Sequence, residues 1–359
     1  MKILLATGGS AGHIYPALAV AKELNRLGHD VSFAGVFGAW EKDVRQAGYP
    51  LHPVSARGFN PRHWGRAGIS CLYMLKSLRE SDILFNTSRP EAVLGFGGYG
   101  AFPVVFRAIC RRYPTMIHEQ NVRPGRANRL LAPWVSKVAI SFEASRRYFR
   151  GRKTVLTGYP AYRVTASSGD AVKAREIFGL HGERSTLLVL GGSQGSRRIN
   201  MMFKEALELL KLQLPLQVIH ITGPKDYTEM SQFYSQQDIP HFLSAFINNM
   251  DQAYQAADVV VARAGAGTVM EIAAFGLPAV LIPYPYAAGH QKENAQELAT
   301  AGSALIMEER KLTPVSLKDC LLNMLSRGGR HEARDQRPHP IFQPQAARRL
   351  AEELLSLKR

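Results

Sequence analysis

At 359 residues the chain is longer than one hydrophobic core usually serves, and two domains are expected. A hydrophobic fraction of 46% suits a folded globular protein, while 45 Lys and Arg against 29 Asp and Glu give a net charge of +16 that draws polyanions: nucleic acid, anionic lipid or a phosphorylated substrate. Three scattered cysteines (Cys71, Cys110, Cys320) argue against a disulfide framework or a zinc site, and no run of about 18 uncharged apolar residues is present to span a membrane.

The first apolar run, residues 3–6, predicts a strand rather than a signal peptide. It ends in the turn Gly8-Gly9-Ser10-Ala11-Gly12-His13. Residues 14–27 follow as a helix, with Ile14, Leu18, Ala21, Leu24 and Leu27 on one face. A strand, a glycine turn and a helix N-terminus form an anion site, because backbone N–H groups point outward and the helix dipole favours negative charge. Further strands are predicted at 31–35, 92–95, 115–118 and 138–141, with helices at 67–79, 101–112 and 126–131. The polar residues 166–170 mark a linker, placed at 161–182 between domains spanning 1–160 and 183–340.

The second half repeats the plan. A strand at 187–190 meets the turn Gly191-Gly192-Ser193-Gln194-Gly195-Ser196, and strands follow at 217–221, 242–246, 258–262, 279–282 and 304–307. Residues 328–340, rich in Arg, His and Pro, read as a loop. A last helix within 341–359 carries the stripe Ala347, Leu350, Ala351, Leu354 and Leu355, and is expected to pack back on the first domain. This alternation predicts an α/β protein of two doubly wound, Rossmann-like domains with parallel sheets, whose carboxyl-end loops face a cleft.

Several clusters have residues suited to chemistry. Gly95-Phe96-Gly97-Gly98-Tyr99-Gly100 matches the dinucleotide fingerprint G-x-G-x-x-G, with Glu119 placed for a ribose. That fingerprint normally takes the first βα turn, which residues 8–13 occupy here, and the alternative is a tight turn admitting a ligand close to the backbone. His13 has the chemistry of a base for a hydroxyl nucleophile, or of a helix cap or phosphate ligand. His118-Glu119-Gln120-Asn121 suits hydrogen bonding to a sugar or peptide, or the capping of helix 126–131. Arg263-Ala264-Gly265-Ala266-Gly267-Thr268 leaves room for a ligand over a helix expected to begin at Thr268. In its first turn Glu271 would either hold ribose hydroxyls or simply complement the dipole. His290-Gln291-Lys292-Glu293-Asn294 offers sugar-directed hydrogen bonds. No Asp-x-Asp occurs, so a metal-bridged diphosphate is not expected. Residues 57–79 mix Phe59, Trp64, Leu72 and Leu75 with Arg57, Arg62, Lys76 and Arg79, the pattern of an interfacial helix on anionic lipid or of a buried core helix. No basic patch is interleaved with aromatics as nucleic-acid binding needs.

Together these pieces resemble the MurG-type glycosyltransferases over nearly the whole length. The matching motifs are the turn 8–13 with Ile14-Tyr15-Pro16-Ala17-Leu18-Ala19, Gly95–Gly100, His118–Asn121, Gly191–Gly195, Phe246-Ile247 with Met250, Arg263 to Glu271, Gly276-Leu277-Pro278, and His290-Gln291 with Asn294. The resemblance implies a GT-B fold and inverting transfer of GlcNAc from UDP-GlcNAc to undecaprenyl-diphospho-MurNAc-pentapeptide (lipid I), giving lipid II for peptidoglycan. It implies no metal or other cofactor, and a peripheral place on the anionic cytoplasmic face of the bacterial membrane. It assigns His13, Glu119 and Asn121 to catalysis. Gly9, Ser10, Ala11, Gly12, Gly97, Gly98 and Tyr99 fall to the acceptor diphosphate. Ser10, Gly12, Asn121, Arg163, Ser193, Gln194, Gly195, Ile247, Arg263, Ala266, Gly267, Thr268, Glu271, His290 and Gln291 fall to UDP-GlcNAc. The chain departs from the family's usual first loop at Ser10 and Ala11, displaces by one the arginine of the junction Gly158-Tyr159-Pro160-Ala161-Tyr162-Arg163, and has Gly289 where Asp is common. Related enzymes with another acceptor, such as diacylglycerol glycosyltransferases, and UDP-GlcNAc epimerases share this plan.

Overall fold

The computed structural model describes residues 1–57, 67–149, 153–162, 170–286, 289–327 and 338–358. The chain divides into two compact units, Met1–Tyr162 with Gln345–Arg359, and Arg163–Pro344.

The first unit contains β1 (Lys2–Thr7), α1 (Ala11–Arg26), β2 (Asp30–Gly35), α2 (Glu41–Gln46), β3 (Leu51–Pro53), α3 (Ala67–Ser88), β4 (Ala92–Gly95), α4 (Gly98–Cys110), β5 (Thr115–Glu119), α5 (Arg126–Leu131), β6 (Lys137–Ile140) and β7 (Thr154–Leu156). Its strands run parallel in the order β3-β2-β1-β4-β5-β6-β7. Alternate residues of β1 serve opposite faces. Ile3 and Leu5 pack with Ile14, Leu18 and Leu24 of α1, while Leu4 and Ala6 pack with Phe85 of α3 and Val104 and Val105 of α4. Each fully buried Leu, Ile, Val or Phe side chain contributes about 1.5–3 kcal/mol, and strands covered on both faces are near-continuous apolar runs. The two-sided burial leaves little polar alternation in them.

The second unit contains α6 (Ala171–Ile177), β8 (Ser185–Leu190), α7 (Arg197–Leu210), β9 (Leu216–Ile221), α8 (Tyr227–Tyr234), β10 (His241–Ser244), α9 (Met250–Ala256), β11 (Val259–Ala262), α10 (Ala266–Ala274), β12 (Ala279–Leu281), α11 (His290–Thr300), β13 (Ala304–Ile306) and α12 (Pro314–Arg327). Its parallel order is β10-β9-β8-β11-β12-β13. The terminal helix α13 (Ala346–Leu355) belongs to the first unit: Leu350, Ala351 and Leu354 enter its core, and Lys137 pairs with Glu353 at 2.6 Å.

Three expectations change. Most of the stretch 170–182 is not linker but part of the second unit. Asp170 caps α6 by accepting from Val172 N, and Arg175 is fully buried, donating to Ala256 O at 3.0 Å, to the carbonyl of Gly182, and to Asp258 at 2.8 Å. Residues 163–169 lie outside the described part. The glycine turns are shorter than expected, because α1, α4 and α10 begin with their small residues rather than at the first large apolar one. Strands β3 and β7, each of three residues at a sheet edge, carry too little pattern to read.

Candidate active site

In each sheet the strand order reverses once, between β1 and β4 and between β8 and β11. Chains leaving those neighbours diverge, and the crevice at their carboxyl ends is where open α/β sheets bind ligands. The glycine turns fall at these switch points: those after β1 and β4 in the first unit, and those after β8 and β11 in the second.

In the first unit the two turns touch. A Cβ on Gly8 would lie 2.9 Å from Gly97 O and Gly98 Cα, and one on Gly98 would lie 2.9 Å from Gly8 Cα and 3.2 Å from His13 Cε1. Gly97 and Gly98 have φ of 83° and 79°, the left-handed region that favours glycine. Beside this contact stands His13, the third residue of α1, its Nδ1 2.8 Å from Ser10 Oγ. His13 keeps some accessible surface, yet the atoms packed round its ring desolvate it and pull its pKa down to about 4, so it is neutral at pH 7. A Cβ on Gly9 would lie 3.6 Å from the hydroxyl of Tyr99, a residue 45% exposed. Ala11 is not among the positive-φ residues, so the methyl group costs no strain, and Gly12 is exposed with open space around it.

Behind these turns β5 ends in a buried polar platform. His118 Nε2 donates to Gly158 O at 3.1 Å, and Gln120 Nε2 donates to His118 Nδ1 at 3.3 Å and to Phe96 O at 2.9 Å. Burial holds His118 neutral, at a pKa of about 4. The Glu119 carboxylate accepts four hydrogen bonds: Asn121 N (2.9 Å) and Nδ2 (3.1 Å) on Oε1, Gly125 N (3.0 Å) and Asn128 Nδ2 (2.8 Å) on Oε2. Its desolvation raises the pKa against those bonds. A carboxylate committed in this way is not placed to bind the ribose of a dinucleotide, nor to take a proton from substrate. It organises the loop that presents Asn121.

In the second unit Gly191, Gly195 and Gly223 pack backbone on backbone: a Cβ on Gly195 would meet Thr222 O and one on Gly223 would lie 2.5 Å from Gly195 Cα. The turn's tip, Ser193 and Gln194, is exposed. Arg263 is 8% exposed and donates to Ser196 Oγ at 2.7 Å and Ile282 O at 3.1 Å, with an ion pair to Glu309 at 2.5 Å. Its guanidinium thus joins Ser196, Ile282 and Glu309. Ala266, Gly267 and Thr268 form the first turn of α10, where helix N–H groups lack intrahelical acceptors. Glu271 therefore lies in the second turn, not the first, which removes the dipole as its explanation. Its Oε2 accepts from Tyr254 OH at 2.8 Å, and Oε1 has no donor among the described residues. Gln291 Oε1 accepts from Ala264 N (3.3 Å) and Tyr284 N (2.9 Å), which fixes the amide with Nε2 outward, and buried Asn294 donates to Ala264 O at 3.2 Å. Ile247 is buried beyond β10, and His290 opens α11 after Gly289 at φ 84°.

The glycosyltransferase family 28 N-terminal domain matches residues 3–140 and the family's C-terminal domain matches residues 186–354. The chain belongs to glycosyltransferase family 28. A relative from Thermodesulfovibrio yellowstonii, a UDP-N-acetylglucosamine–N-acetylmuramyl-(pentapeptide) pyrophosphoryl-undecaprenol N-acetylglucosamine transferase, is 39% identical over 87% of this chain and 86% of its own. The Bacillus subtilis protein of the same name is 34% identical over 100% of both chains. The crystal structure of Acinetobacter baumannii MurG superposes with a TM-score of 0.78 at 28% identity, covering 99% of each chain. The GT-B expectation of two parallel-sheet, Rossmann-like domains stands on these matches and on the strand orders.

Within this family 28 chain, His13, Ser10, Gly97, Gly98 and Tyr99 gather at one switch point, and Ser193 to Gly195, Ala266 to Thr268, Glu271 and Gln291 lie on the turns and flanking helices of the other. Arg163 lies outside the described residues. Sequence reading missed Tyr254, Glu309 and Asn128. Each lies far in sequence from the residue it holds or on an ordinary helix, where no local pattern marks it.

Proposed function

We propose that this family 28 chain transfers GlcNAc from UDP-GlcNAc to the C4 hydroxyl of MurNAc in lipid I, with inversion, to form lipid II for peptidoglycan. One observation carries the reading: a chain aligning end to end with transferases of that name has, at its first switch point, a neutral histidine whose Nδ1 meets Ser10 Oγ. In the proposed step the C4 oxygen attacks the anomeric carbon and its proton passes to His13. The bond from that carbon to the β-phosphate oxygen breaks, and UDP leaves with the electron pair. The second unit is assigned the donor: Ile247 at the uracil, Glu271 Oε1 at the ribose hydroxyls, the amides of 193–195 and 266–268 at the diphosphate, and Gln291 Nε2 and His290 at the sugar. Fixed amide dipoles aimed at a departing charge are commonly the largest catalytic contribution. The first unit is assigned the acceptor, with the turns 8–12 and 97–99 at its diphosphate and Asn121 beside them.

The reading includes peripheral attachment to an anionic membrane at its cytoplasmic face. Leu72, Leu75 and Ile83 lie on one exposed face of α3 with Lys76 and Arg79. Helix α4, packed on α3, exposes Phe106; α5, packed on α4, exposes Leu130 with Arg126 and Arg129, and exposed Trp134 follows it. No helix among the described residues is long and apolar enough to cross a membrane. Phe59, Arg62 and Trp64 lie outside the described part.

The deciding experiment is transfer of radiolabel from UDP-GlcNAc to a short-chain lipid I analogue, with an acceptor-free control. Acceptor-dependent label in a lipid II product is the expected result. Label consumed without acceptor would replace the reading with epimerase or hydrolase chemistry. Bound donor with no transfer would point to another acceptor.

A further inference from the structure

We propose that Ser10 is a positioning residue that sets the tautomer of His13, holding the proton on Nδ1 so that Nε2 presents its lone pair to the attacking hydroxyl; this rests on the reading of His13 as the base. Ser10 is the N-cap of α1, a position where a serine side chain ordinarily accepts from a backbone N–H of the first turn. It does not do so here. Ser196 at the start of α7 and Asp170 at the start of α6 both make that bond, whereas the Ser10 hydroxyl is turned to His13 Nδ1 at 2.8 Å.

The rest of the ring's surroundings point the same way. The Nδ1 and Cε1 side is closed in by Gly8 and Gly98, where an added Cβ would come within 3.2 Å of the ring. Nε2 makes no side-chain hydrogen bond among the described residues. An imidazole takes a proton only at the nitrogen that lacks one, so Nε2 acts as acceptor only when Nδ1–H is the populated neutral form. Ser10 Oγ accepts that Nδ1–H before the transfer and still accepts it in the imidazolium that follows, so no rearrangement accompanies the proton.

Histidine-selective 15N labelling of the full chain tests this, with the His13 signals identified by their loss in His13→Gln. The wild-type neutral ring should be protonated at Nδ1. Ser10→Ala should shift it toward the Nε2-protonated form and lower kcat roughly 10- to 100-fold with donor KM little changed. Ser10→Thr, which keeps the hydroxyl, should restore both. Because the hydroxyl caps no N–H, Ser10→Ala should melt with the wild type. A wild-type His13 protonated at Nε2, or a Ser10→Ala enzyme turning over at the wild-type rate beside an inactive His13→Gln, overturns the role of Ser10. A fully active His13→Gln overturns the base reading itself.

Discussion

Arg263 donates to Ser196 Oγ at 2.7 Å, and that one bond ties the turn after β11 to the turn after β8, the two arms of the second unit's switch point. The guanidinium also meets Ile282 O, ion-pairs with Glu309 and lies over the Tyr284 ring at 5.3 Å. Glu309 Oε2 is buried with only this ionic contact. Taking away one partner of a buried pair costs more than the pair is worth, because the other charge stays buried and uncompensated.

Arg263→Ala should therefore destabilise the second unit by roughly 3–5 kcal/mol, and Arg263→Ala with Glu309→Ala by clearly less. Arg263→Lys should also fail to restore the site, since one ammonium does not span Ser196, Ile282 and Glu309 in the guanidinium's planar geometry. Urea unfolding of the four variants, with Glu309→Ala alone completing the cycle, measures the coupling. Strictly additive losses would mean that the pair is not a unit.

Glu271 and Tyr254 predict a pH dependence. Desolvation raises the Glu271 carboxyl above its ordinary value, and the Tyr254 hydroxyl works against that rise. A protonated Glu271 loses acceptor capacity for ribose hydroxyls, so donor KM should climb as pH falls through the raised pKa. Tyr254→Phe removes the opposing bond and should move that rise in KM to higher pH. The sign for stability is the reverse: the fold favours the neutral carboxyl, so its contribution is full below the unfolded pKa and is lost as pH rises through the folded one. Donor KM against pH for both proteins checks this, and superimposable profiles would remove Glu271 from the donor site.

The turns and strands at the two switch points were open to sequence reading because backbone chemistry writes itself locally: buried parallel strands need apolar runs, and touching turns such as Gly8 and Gly98 need glycine. Side-chain use was not. Nothing near Glu119 shows that Asn128 and Gly125 will consume its second oxygen, and nothing near Arg263 announces Glu309, 46 residues on by subtraction of their numbers. Burial of Arg175 likewise depends on Asp258, 83 residues on, so a charged segment looked like linker.

The apolar layer on the first unit predicts vesicle binding. Leu75 and Trp134 are each 64% exposed, an unfavourable place for large apolar groups unless something covers them. Leu72→Glu with Leu75→Glu should reduce flotation with anionic vesicles severalfold and leave transfer to a water-soluble acceptor analogue unchanged. High salt should weaken the wild-type binding only in part, because the apolar contacts survive screening. Binding unaffected by the double substitution would place membrane contact elsewhere.

Two fully buried histidines, His118 and His220, weaken the fold in acid. Burial depresses His118 to a pKa of about 4 and His220 to about 3, below the ordinary 6.5. Each binds fewer protons folded than unfolded across that interval, so stability is highest above pH 6.5 and falls as pH drops toward the folded value. Between pH 6.5 and 5 each should cost roughly 1.5–2 kcal/mol, offset in part by Glu119 and Glu271, whose raised values act in the opposite direction. His220 holds its neutral form through Nε2–H to Asn200 Oδ1 and Tyr234 OH to Nδ1, both at 3.1 Å. Gln in place of His220 should thus lower stability at pH 7.5 yet flatten its loss toward pH 5. Urea midpoints at the two pH values decide it, and an unchanged slope in His220→Gln and His118→Gln alike would move the acid sensitivity to other groups.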